Sequence, residues 1–443
     1  MSPATKSPHK SRLLNYRSAI ALVIANTIGT GVFTTSGFAL ADLGDPAFVM
    51  LAWMVGGLYA LAGVIIYSEL ANRYPESGGE YTFLRNCLHP ALGTAAGWVS
   101  LVAGFTVPIA VAALGAELYL CRVLGVTIAA PWIATAAVVG LGLLHALMPE
   151  KGVSFQNLAV VIKVCVITAF IAFGGVAAVA TAVVAPTPVA STFSPLAFAG
   201  SLVWISYAYS GWNAAVYVTG EVEGGGVVVG RALLAGTVLV IALYVGVSTV
   251  ILYGAPQEQL RGVAESGAVA ARALGGTHAE QALSCLIALA LLTSASSMIL
   301  GGPRVYARMA QDGVLPRALG RLHGDYPKIA VLTQTALSLF VVWAAGLREL
   351  LEFAGVALSL SAGAVVVGWF YQNGRPSFSS RLLPVVAAVF FLTATVGIVI
   401  ATLVMRPASA IAATILISFG LAAHAWGNRQ VGPKLKRGEL TCL

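Results

Sequence analysis

Charged side chains are scarce in this chain. Aspartate, glutamate, lysine and arginine together make up 9% of its 443 residues, whereas a soluble domain typically carries about 25%. Hydrophobic residues reach 58%, so a large soluble domain is excluded. The composition therefore predicts an integral membrane protein with most of its length inside a lipid bilayer.

Patterns typical of metal sites and of catalysis are also missing. The five cysteines and six histidines show no spacing that indicates a metal site or a disulfide framework. No phosphate-binding glycine-rich loop is present, which argues against an ATP-driven pump. No acid–base or nucleophile constellation within the apolar segments indicates an enzyme. We therefore expect no metal, no cofactor and no catalytic residue.

Long apolar runs dominate instead. A membrane-spanning helix needs about 20 apolar residues, and by that criterion we predict an all-α fold with twelve transmembrane helices. The predicted spans are residues 17–41, 46–71, 91–120, 131–148, 154–184, 196–221, 229–254, 280–308, 328–346, 350–371, 382–404 and 408–426. A tail at residues 1–16 precedes them, and a basic tail at residues 427–443 follows them.

The basic residues give these spans an orientation. With the N-terminus in the cytoplasm, nineteen of the 25 lysines and arginines fall on the cytoplasmic side, five fall on the outer side, and Lys163 lies within a span. Cytoplasmic loops of membrane proteins carry an excess of lysine and arginine. Both termini are therefore expected to be cytoplasmic, and the net charge of +8 indicates topology rather than a nucleic-acid partner.

Two of the apolar segments are interrupted in the middle by small and polar residues. The first interruption contains Gly29-Thr30-Gly31, and the second contains Ser210-Gly211-Trp212-Asn213. An unwound helix exposes amides and carbonyls that lipid cannot satisfy, so a break is tolerated only where it lines a cavity or a ligand site. Breaks at matching positions in the two halves of a chain point to the binding site of a secondary transporter.

The broken helices predict where charged groups would bind. The amides near Gly31–Phe33 begin a second half-helix, whose positive dipole end suits a carboxylate. Carbonyls at the end of the first half-helix and near Tyr207–Tyr209 suit an ammonium group, so one zwitterion satisfies both. The side chain of Tyr207 or Tyr209 would close over the ligand as a gate.

Lys163 lies deep within the fifth predicted span, about 15 Å from the cytoplasmic loop at a rise of about 1.5 Å per residue. An ionisable group at that depth indicates a functional role. Two roles are open. Lys163 exchanges a proton during transport, or it is a permanent cation that ties the first broken helix to Ser296 or Ser297 of the eighth span, where a sodium ion would otherwise bind.

Four motifs, in order along the chain, resemble those of one family. Residues 27–33 resemble the Gly-Ser-Gly-Ile-Phe signature in the first helix of the amino acid–polyamine–organocation superfamily, and residues 75–81 resemble its Pro-x-Ser-Gly-Gly-x-Tyr loop. Residues 207–213 are similar to the sixth helix of the L-type amino acid transporters in that superfamily. Residues 304–316 resemble the exit from their eighth span.

The resemblance implies the leucine-transporter-like fold. Five helices in residues 17–184 form a first repeat, five in residues 196–371 form a second, inverted repeat, and two extra helices follow in residues 382–426. The implied substrate-binding residues are Thr27, Ile28, Gly29, Thr30, Gly31, Tyr207, Ala208, Tyr209, Ser210 and Asn213. Thr30 and Gly31 would bind the carboxylate of an α-amino acid. The carbonyls of Thr27, Ile28 and residues 207–209 would bind its amino group.

The resemblance also implies how transport is driven. Lys163 falls where sodium-independent members carry a lysine in the fifth helix. Tyr207 replaces a phenylalanine and Ser210 replaces a glycine of the family pattern, which favours small or polar substrates over bulky aromatic ones. No cysteine is placed to link an accessory subunit. We therefore predict a sodium-independent amino acid permease of a prokaryotic inner membrane, acting alone as a proton symporter or as an exchanger.

Two alternatives stay open at this point. A polyamine transporter would need carboxylates in its cavity, and the deep spans offer almost none. An amino acid sensor without net transport would be expected to have a sizeable cytoplasmic tail, and only residues 427–443 follow the last predicted span. The sequence leaves open which amino acid is carried, in which direction, and in what oligomeric state.

Overall fold

The computed structural model describes residues 14–147, 149–181, 192–321, 327–373 and 382–438. Within these ranges the secondary structure consists of helices joined by turns and short irregular segments, and the single β-type pairing is an isolated bridge between Leu14 and Val222. The α-helices are α1 (Tyr16–Thr27), α2 (Gly31–Leu43), α3 (Pro46–Arg73), α4 (Glu80–Cys87), α5 (Pro90–Val99), α6 (Val107–Leu124), α7 (Trp132–Leu147), α8 (Pro149–Thr181), α9 (Pro195–Tyr209), α10 (Gly225–Tyr253), α11 (Gln257–Leu260), α12 (Ser266–Gln311), α13 (Lys328–Ala344), α14 (Leu347–Asn373), α15 (Leu382–Met405) and α16 (Pro407–Gly438).

Eight helical segments of the described chain are long and apolar enough to cross a membrane, or nine if the bent pair α1 and α2 counts as one span. Helices α7 and α13, at the fourth and ninth predicted spans, are shorter apolar helices. Helix α9, at the sixth predicted span, has 15 residues and ends at its break. An all-helical, multi-pass membrane protein is confirmed, while the count of twelve spans and the inverted repeat stay predictions.

The first predicted break is present. Helix α1 begins after Asn15, whose side chain accepts a hydrogen bond from the Ser18 amide at 2.9 Å, and it ends at Thr27. Helix α2 begins at Gly31 and is terminated by Gly44, whose φ of 73° gives it the left-handed conformation typical of a helix end. The two helices are bent by 40°, so the segment between them interrupts one apolar span.

The second predicted break is also present. Helix α9 ends at Tyr209, and the chain then turns at Gly211, whose φ of +100° lies in a region that favours glycine. It continues as a 3-10 helix, Ala214–Glu221. The second half of this span is therefore more tightly wound, and longer per residue, than an α-helical half would be.

A third irregularity joins α5 to α6. Residues Ser100–Thr106 form a π-helical turn immediately before Val107 and Pro108. Proline has no amide to donate, so it disturbs the hydrogen-bond ladder at this point. Turns of this kind occur frequently at functional sites, and Gly104 and Phe105 of this turn lie on the wall of the central cavity.

A buried ion cluster joins several helices at the end of the fold where α2 ends. We call this end the α2 side. The opposite end, where α1 begins, is the α1 side. The Arg406 guanidinium lies 2.6 Å from the Asp42 carboxylate and 2.8 Å from that of Glu352. It also donates to the carbonyl of Gly200 at 3.3 Å. Its Cζ atom lies 4.1 Å from the centre of the Trp204 ring. The cluster thus connects α2, α9 and α14 with the residue before α16.

Replacing Arg406 with methionine should destabilise the fold. The side chain is 6% exposed, and its loss leaves Asp42 without its cation. Removing one partner of a buried ion pair costs about 3–5 kcal/mol, which we expect as a loss in the free energy of unfolding by denaturant in detergent. The control is Arg272→Met, because that side chain is 63% exposed and its partner Glu280 keeps Arg122. Equal losses in both variants would contradict this role.

Candidate functional site

The two broken helices touch each other at their breaks. A Cβ atom on Gly31 would lie 2.6 Å from the Cα and Cβ atoms of Ala208. A Cβ atom on Gly211 would lie 2.6 Å from the carbonyl carbon and oxygen of Asn26. Real Cβ atoms do not approach other atoms so closely, so glycine is required at both positions. The structure therefore brings together the two breaks that the sequence singled out.

Gly31→Ala should push the broken helices apart. Overpacking of this kind costs about 1–3 kcal/mol in the free energy of unfolding, which can be measured by denaturant titration in detergent. The matched control is Gly29→Ala, because the nearest atom to a Cβ there is the carbonyl oxygen of Thr27 at 4.0 Å. We expect that control to stay within about 0.5 kcal/mol of the parent. Equal stability of the two variants would refute the close contact.

Tyr244 of α10 bonds to both breaks. Its hydroxyl lies 2.6 Å from the carbonyl oxygen of Thr27 and 3.1 Å from that of Ala208. The ring is fully buried and packs against Trp53 and Tyr209. Two of the carbonyls that were predicted to bind an amino group therefore already face a hydroxyl donor. Sequence reasoning missed Tyr244, because nothing in the pattern of α10 distinguishes it from an aromatic packing residue.

Lys163 of α8 reaches the first break from the opposite direction and is 1% exposed. Its Nζ donates to the hydroxyl of Ser294 at 2.6 Å, to the carbonyl of Ile28 at 3.4 Å and to that of Ala25 at 3.5 Å. An ammonium group has three donors, which matches these three acceptors. The carbonyls left by the unwinding of α1 are thus satisfied by a side chain of the protein itself.

The serine that contacts Lys163 differs from the prediction. Ser294 makes this contact, whereas Ser296 lies 2.7 Å from Nε2 of the buried His145, and Ser297 lies on the cavity wall. Residues three apart on an α-helix share a face, whereas residues two apart do not, so Ser294 and Ser297 lie on one face of α12 and Ser296 on another. The described contact of Lys163 is thus with Ser294, one helical turn from Ser297, and a pairing with Ser296 or Ser297 stays a prediction.

The first turn of α2 has no side-chain cap. The N-cap residue Thr30 makes no capping hydrogen bond, and its hydroxyl instead donates to the carbonyl of Val111 at 3.3 Å. The first amides of a helix lack partners within the helix and form the positive end of its dipole. Gly29 beside this turn is half-buried, with open space where a side chain would be. The geometry therefore leaves room next to a helix end that suits an anion.

The residues of the second break have different surroundings. Tyr207 is 7% exposed, and its carbonyl accepts a hydrogen bond from the Ser210 amide at 2.8 Å. The Tyr209 hydroxyl donates to the carbonyl of Trp53 at 3.2 Å, and its ring packs on the Trp53 ring. Ser210 and Asn213 lie on the cavity wall. Tyr209 is therefore anchored against α3, and a side chain held in this way does not suit a gate. A gating role stays a prediction for Tyr207.

A cavity of about 440 Å³ begins at the second break and runs to Leu14 and Glu221, beside the start of α1. Its wall includes apolar residues such as Phe105, Met298 and Phe391. Its polar residues are Ser18, Asn26, Tyr59, Glu80, Ser206, Ser210, Asn213, Tyr217, Glu221, Ser297 and Ser359. A mostly apolar wall with a few polar groups is typical of a small-molecule site. In the described part of the chain, no group of His, Cys, Asp and Glu side chains is arranged to hold a metal ion.

The α2 side of the breaks is closed by direct contacts. The Gly262 amide donates to the carbonyl of Gly37 at 2.8 Å. The Tyr119 and Ser266 hydroxyls both donate to the carbonyl of Phe33, at 3.0 and 2.7 Å. These bonds hold α2 against α6, against the segment after α11 and against the start of α12. A solute at the breaks would therefore meet protein on the α2 side and the cavity on the α1 side.

One acidic residue on the cavity wall was not predicted. Glu80, the first residue of α4, is 3% exposed and accepts hydrogen bonds from Tyr67, Asn213 and Tyr217. The sequence places it in a turn-rich loop, where a glutamate gives no signal of burial. Only the packing of α4 against the 3-10 helix Ala214–Glu221 brings it to the cavity.

The sequence has relatives of known class. A model of the amino acid permease family matches residues 14–421, a range that includes both breaks and Lys163. The chain is 28% identical over 344 residues to the serine/threonine exchanger SteT of Bacillus subtilis, covering 73% of this chain and 75% of SteT.

Two further relatives cover more of this chain at lower identity. The branched-chain amino acid permease BcaP of Lactococcus lactis is 24% identical over 403 residues, covering 84% of this chain and 83% of BcaP. The large neutral amino acids transporter small subunit 2 of Mus musculus is 23% identical over 400 residues, covering 84% of this chain and 74% of the relative.

Proposed function

The chain belongs to the amino acid permease family of the amino acid–polyamine–organocation superfamily, and from this premise we propose that it is a sodium-independent secondary transporter of α-amino acids. The observation that carries the proposal is the meeting of the two breaks, where uncapped amides, carbonyls and a buried lysine converge. Relatives named as exchangers and permeases of amino acids support the substrate class.

The proposed architecture has twelve spans, with a five-plus-five inverted repeat followed by two further helices. The eight or nine spans, the shorter helices α7 and α13, and the break in α9 support this count. The bias of lysine and arginine supports two cytoplasmic termini. The membrane we propose is a prokaryotic inner membrane, and the protein acts there without an obligatory accessory subunit.

The substrate carboxylate is proposed to bind at the uncapped first turn of α2, beside Gly29, Thr30 and Gly31. The positive helix end and the open space at Gly29 support this position. The substrate side chain would then extend towards the cavity wall at Ser210 and Ser297. A wall with these hydroxyls favours small or polar side chains, in line with the serine and threonine in the name of SteT.

The substrate amino group is proposed to bind at the carbonyls of Thr27, Ile28 and residues 207–209. Several of these oxygens already accept a hydrogen bond, from Tyr244 or Lys163. A carbonyl oxygen has two lone pairs, so the ammonium group can share those of Thr27 and Ala208 without displacing Tyr244. The Ile28 carbonyl already accepts from both Lys163 and Ser294, so the ammonium group would have to take the place of one of them there. The internal donors would position these oxygens for the ligand.

Lys163 is proposed to supply the positive charge between the first broken helix and α12. Its ammonium group contacts Ile28, Ala25 and Ser294 together. A sodium ion in that space would be repelled by the ammonium and would find its oxygen ligands already used. This arrangement supports transport without sodium, and both proton symport and exchange are compatible with it.

The cavity supports an alternating-access cycle. It runs from the breaks to the α1 side, while backbone contacts close the α2 side. With the N-terminus in the cytoplasm, this conformation faces inward. The opposite conformation would require the contacts at Gly37 and Phe33 to open and the 3-10 helix Ala214–Glu221 to close over the site.

A second candidate function has one observation in its favour. Glu80 and Glu221 lie on the cavity wall, and a polyamine requires carboxylates. We rank this reading second because Glu80 is already hydrogen-bonded to three donors. Thermal unfolding in detergent with neutral amino acids, cationic amino acids or diamines separates the two readings. Stabilisation by neutral amino acids alone supports the proposal, and stabilisation by diamines alone contradicts it.

Uptake into proteoliposomes tests transport and its driving force. Vesicles with and without internal amino acid are compared at two external pH values, with a labelled panel of amino acids outside. Accumulation in empty vesicles under an inward proton gradient means proton symport. Uptake only into preloaded vesicles means obligatory exchange. Absence of uptake under every condition would overturn the transporter and favour a sensor.

A further inference from the structure

Glu80 is buried without an ion pair. It forms the first residue of α4, it is 3% exposed, and it lies on the cavity wall. Among the side chains that the structure describes, no lysine, arginine or histidine lies within 4.0 Å of its carboxylate. Acidic side chains are rarely buried without a cation, so the position requires an explanation.

Three neutral donors surround the carboxylate. Tyr67 donates to Oε1 at 3.1 Å and Asn213 donates to the same oxygen at 2.5 Å. Tyr217 donates to Oε2 in a short hydrogen bond. The three donors come from α3, from the second break and from the 3-10 helix Ala214–Glu221. The carboxylate therefore links a helix outside the site to the part of the broken span that must move in an alternating-access cycle.

The other buried acidic groups have different environments. Glu352 is paired with Arg406, and Glu280 with Arg122. Glu117 accepts a hydrogen bond from the Ala134 amide at 2.8 Å and lies outside the cavity wall. A carboxylate that has an arginine keeps its charge, because protonation would leave the cation unpaired. Glu80 has only hydroxyl and amide donors, and these can be rearranged around a neutral acid.

The ionisable groups around Glu80 do not supply a cation. Tyr81 and Arg85 of α4 are directed to Asp312 at the end of α12, with bonds of 3.0 and 3.2 Å. Burial and this aspartate raise the pKa of Tyr81 to about 12, so it stays neutral. The ionisable groups on the surrounding elements and on the cavity wall are Tyr59, Tyr67, Glu69, Arg73, Tyr81, Arg85, Cys87, Tyr217, Glu221 and Asp312. Arg73 is exposed and lies over the ring of Tyr74.

A hydrogen-bonded path is in place for a change of protonation. The Tyr217 hydroxyl lies between Glu80 and Ser100 of the π-helical turn, at 3.2 Å from the Ser100 hydroxyl. A hydronium ion in the cavity gives up one proton, which forms an O–H bond on Oε2 of Glu80 and leaves a water molecule behind. That O–H then donates to the Tyr217 oxygen, and the Tyr217 hydrogen turns to Ser100. No covalent bond other than the O–H of the acid is formed or broken in the protein.

We propose that Glu80 is a proton-binding site of the transport cycle, whose protonation reverses its hydrogen bond to Tyr217 and so alters how the 3-10 helix Ala214–Glu221 is held on the cavity wall. The proposal rests on the proposed function, since it assigns the proton-binding residue of the same site. It predicts that transport depends on pH through this carboxyl group.

Infrared difference spectroscopy of the purified protein tests proton binding directly. Because burial disfavours the charged form of a carboxyl group, spectra at about pH 7.5 and pH 5.5 should differ by a protonated carboxyl C=O band. We expect Glu80→Gln to lack that band and Glu69→Gln to keep it. Glu69 is the matched control, since it accepts a neutral hydrogen bond from Trp369 at 2.8 Å but lies outside the cavity wall. An unchanged band in Glu80→Gln overturns the proposal.

Counterflow in proteoliposomes at the same two pH values tests the consequence for transport. In the parent we expect the two rates to differ by about fivefold or more, because a change of one pH unit alters a protonation ratio tenfold. In Glu80→Gln the ratio should fall within about twofold, whatever the absolute rate. A parent-like ratio in that variant contradicts the proposal. Absence of counterflow in the parent would refute the proposed function, and the infrared band would still decide proton binding.

If Glu80→Gln does not fold, the variant Tyr217→Phe provides a second test of proton binding at Glu80. It keeps the carboxyl group and removes one donor to its charged form, so the infrared band should appear at higher pH than in the parent. A band with an unshifted pH midpoint would show that the proton binds elsewhere. This result would overturn the assignment without any measurement of transport.

Discussion

Lys163→Met should reduce sodium-free exchange by about 100-fold or more. The substitution leaves Ser294 and Ala25 without this donor in a buried site and removes one of the two donors to the Ile28 carbonyl. Each unsatisfied buried group costs about 1–3 kcal/mol, and every 1.4 kcal/mol is about a factor of ten. The bond from the Ser294 hydroxyl to the Ile28 carbonyl would remain, but the first broken helix would be held less firmly to α12, and the shape of the substrate site would change. The measurement is the initial rate of exchange per folded protein in proteoliposomes.

Two serine variants show whether the contact itself is responsible. Ser294→Ala should lower the exchange rate clearly, because it removes the hydroxyl at 2.6 Å from Nζ and at 3.0 Å from the carbonyl of Ile28. Ser296→Ala should lower it much less, because that hydroxyl bonds to His145 instead. Equal effects of the two serine variants, or parent-like exchange in Lys163→Met, would contradict the role given to Lys163.

Gly29→Val should weaken amino acid binding by about 100-fold while the protein stays folded. A Cβ atom at this position has space, with the nearest atom 4.0 Å away, so the added side chain enters the space proposed for the ligand. Loss of the charge-assisted hydrogen bonds to a carboxylate is worth about 1.5–3 kcal/mol, which corresponds to roughly a 10- to 150-fold loss, and the steric overlap adds to it. Equilibrium binding of a labelled amino acid in detergent measures the effect.

The control for Gly29 is a glycine with equally open surroundings elsewhere. Gly140 of α7 is exposed and has no atom within 4 Å of its Cβ position. Gly140→Val should therefore bind amino acids like the parent. Parent-like binding by Gly29→Val would place the substrate away from the first turn of α2 and would refute the proposed site.

The sequence was sufficient to predict the breaks because their chemistry is local. Glycine and small polar residues inside an apolar segment weaken the helix at that point, and no packing information is needed to see it. Lys163 was found for a similar reason, since a lone basic residue in an apolar span is visible without the fold. The broken helices α1–α2 and α9 are present at the predicted positions.

The sequence alone did not predict which residues of different helices contact each other. Which serine faces Lys163 depends on the relative height of α8 and α12, and Ser294 lies one turn from Ser297. Tyr244 and Glu80 reach the site only through the packing of α10 and α4, and neither residue interrupts its own local pattern. Long apolar helices are predicted by composition, while the partners of individual polar groups are fixed by tertiary structure.

The number of spans shows the same limit. A hydropathy criterion counts apolar residues and predicts twelve segments. Helices α7 and α13, at two of these segments, have only 16 and 17 residues, which is fewer than the roughly 20 that a span usually needs. Helix α9 has 15 residues because its span unwinds after Tyr209. Short or interrupted helices can still cross a bilayer when neighbouring helices form hydrogen bonds with the free backbone groups at their ends. The count of twelve spans therefore stays a prediction, which topology mapping would test.

Counterflow without sodium tests the central claim most directly. Proteoliposomes that contain the parent protein are preloaded with an unlabelled neutral amino acid and diluted into sodium-free buffer with a trace of the same amino acid in labelled form. The account predicts labelled uptake that rises above equilibrium and then decays, and that is reduced strongly in vesicles containing Lys163→Met. Uptake that requires sodium, or no uptake of any amino acid tested, would contradict a sodium-independent site built from the two breaks and Lys163.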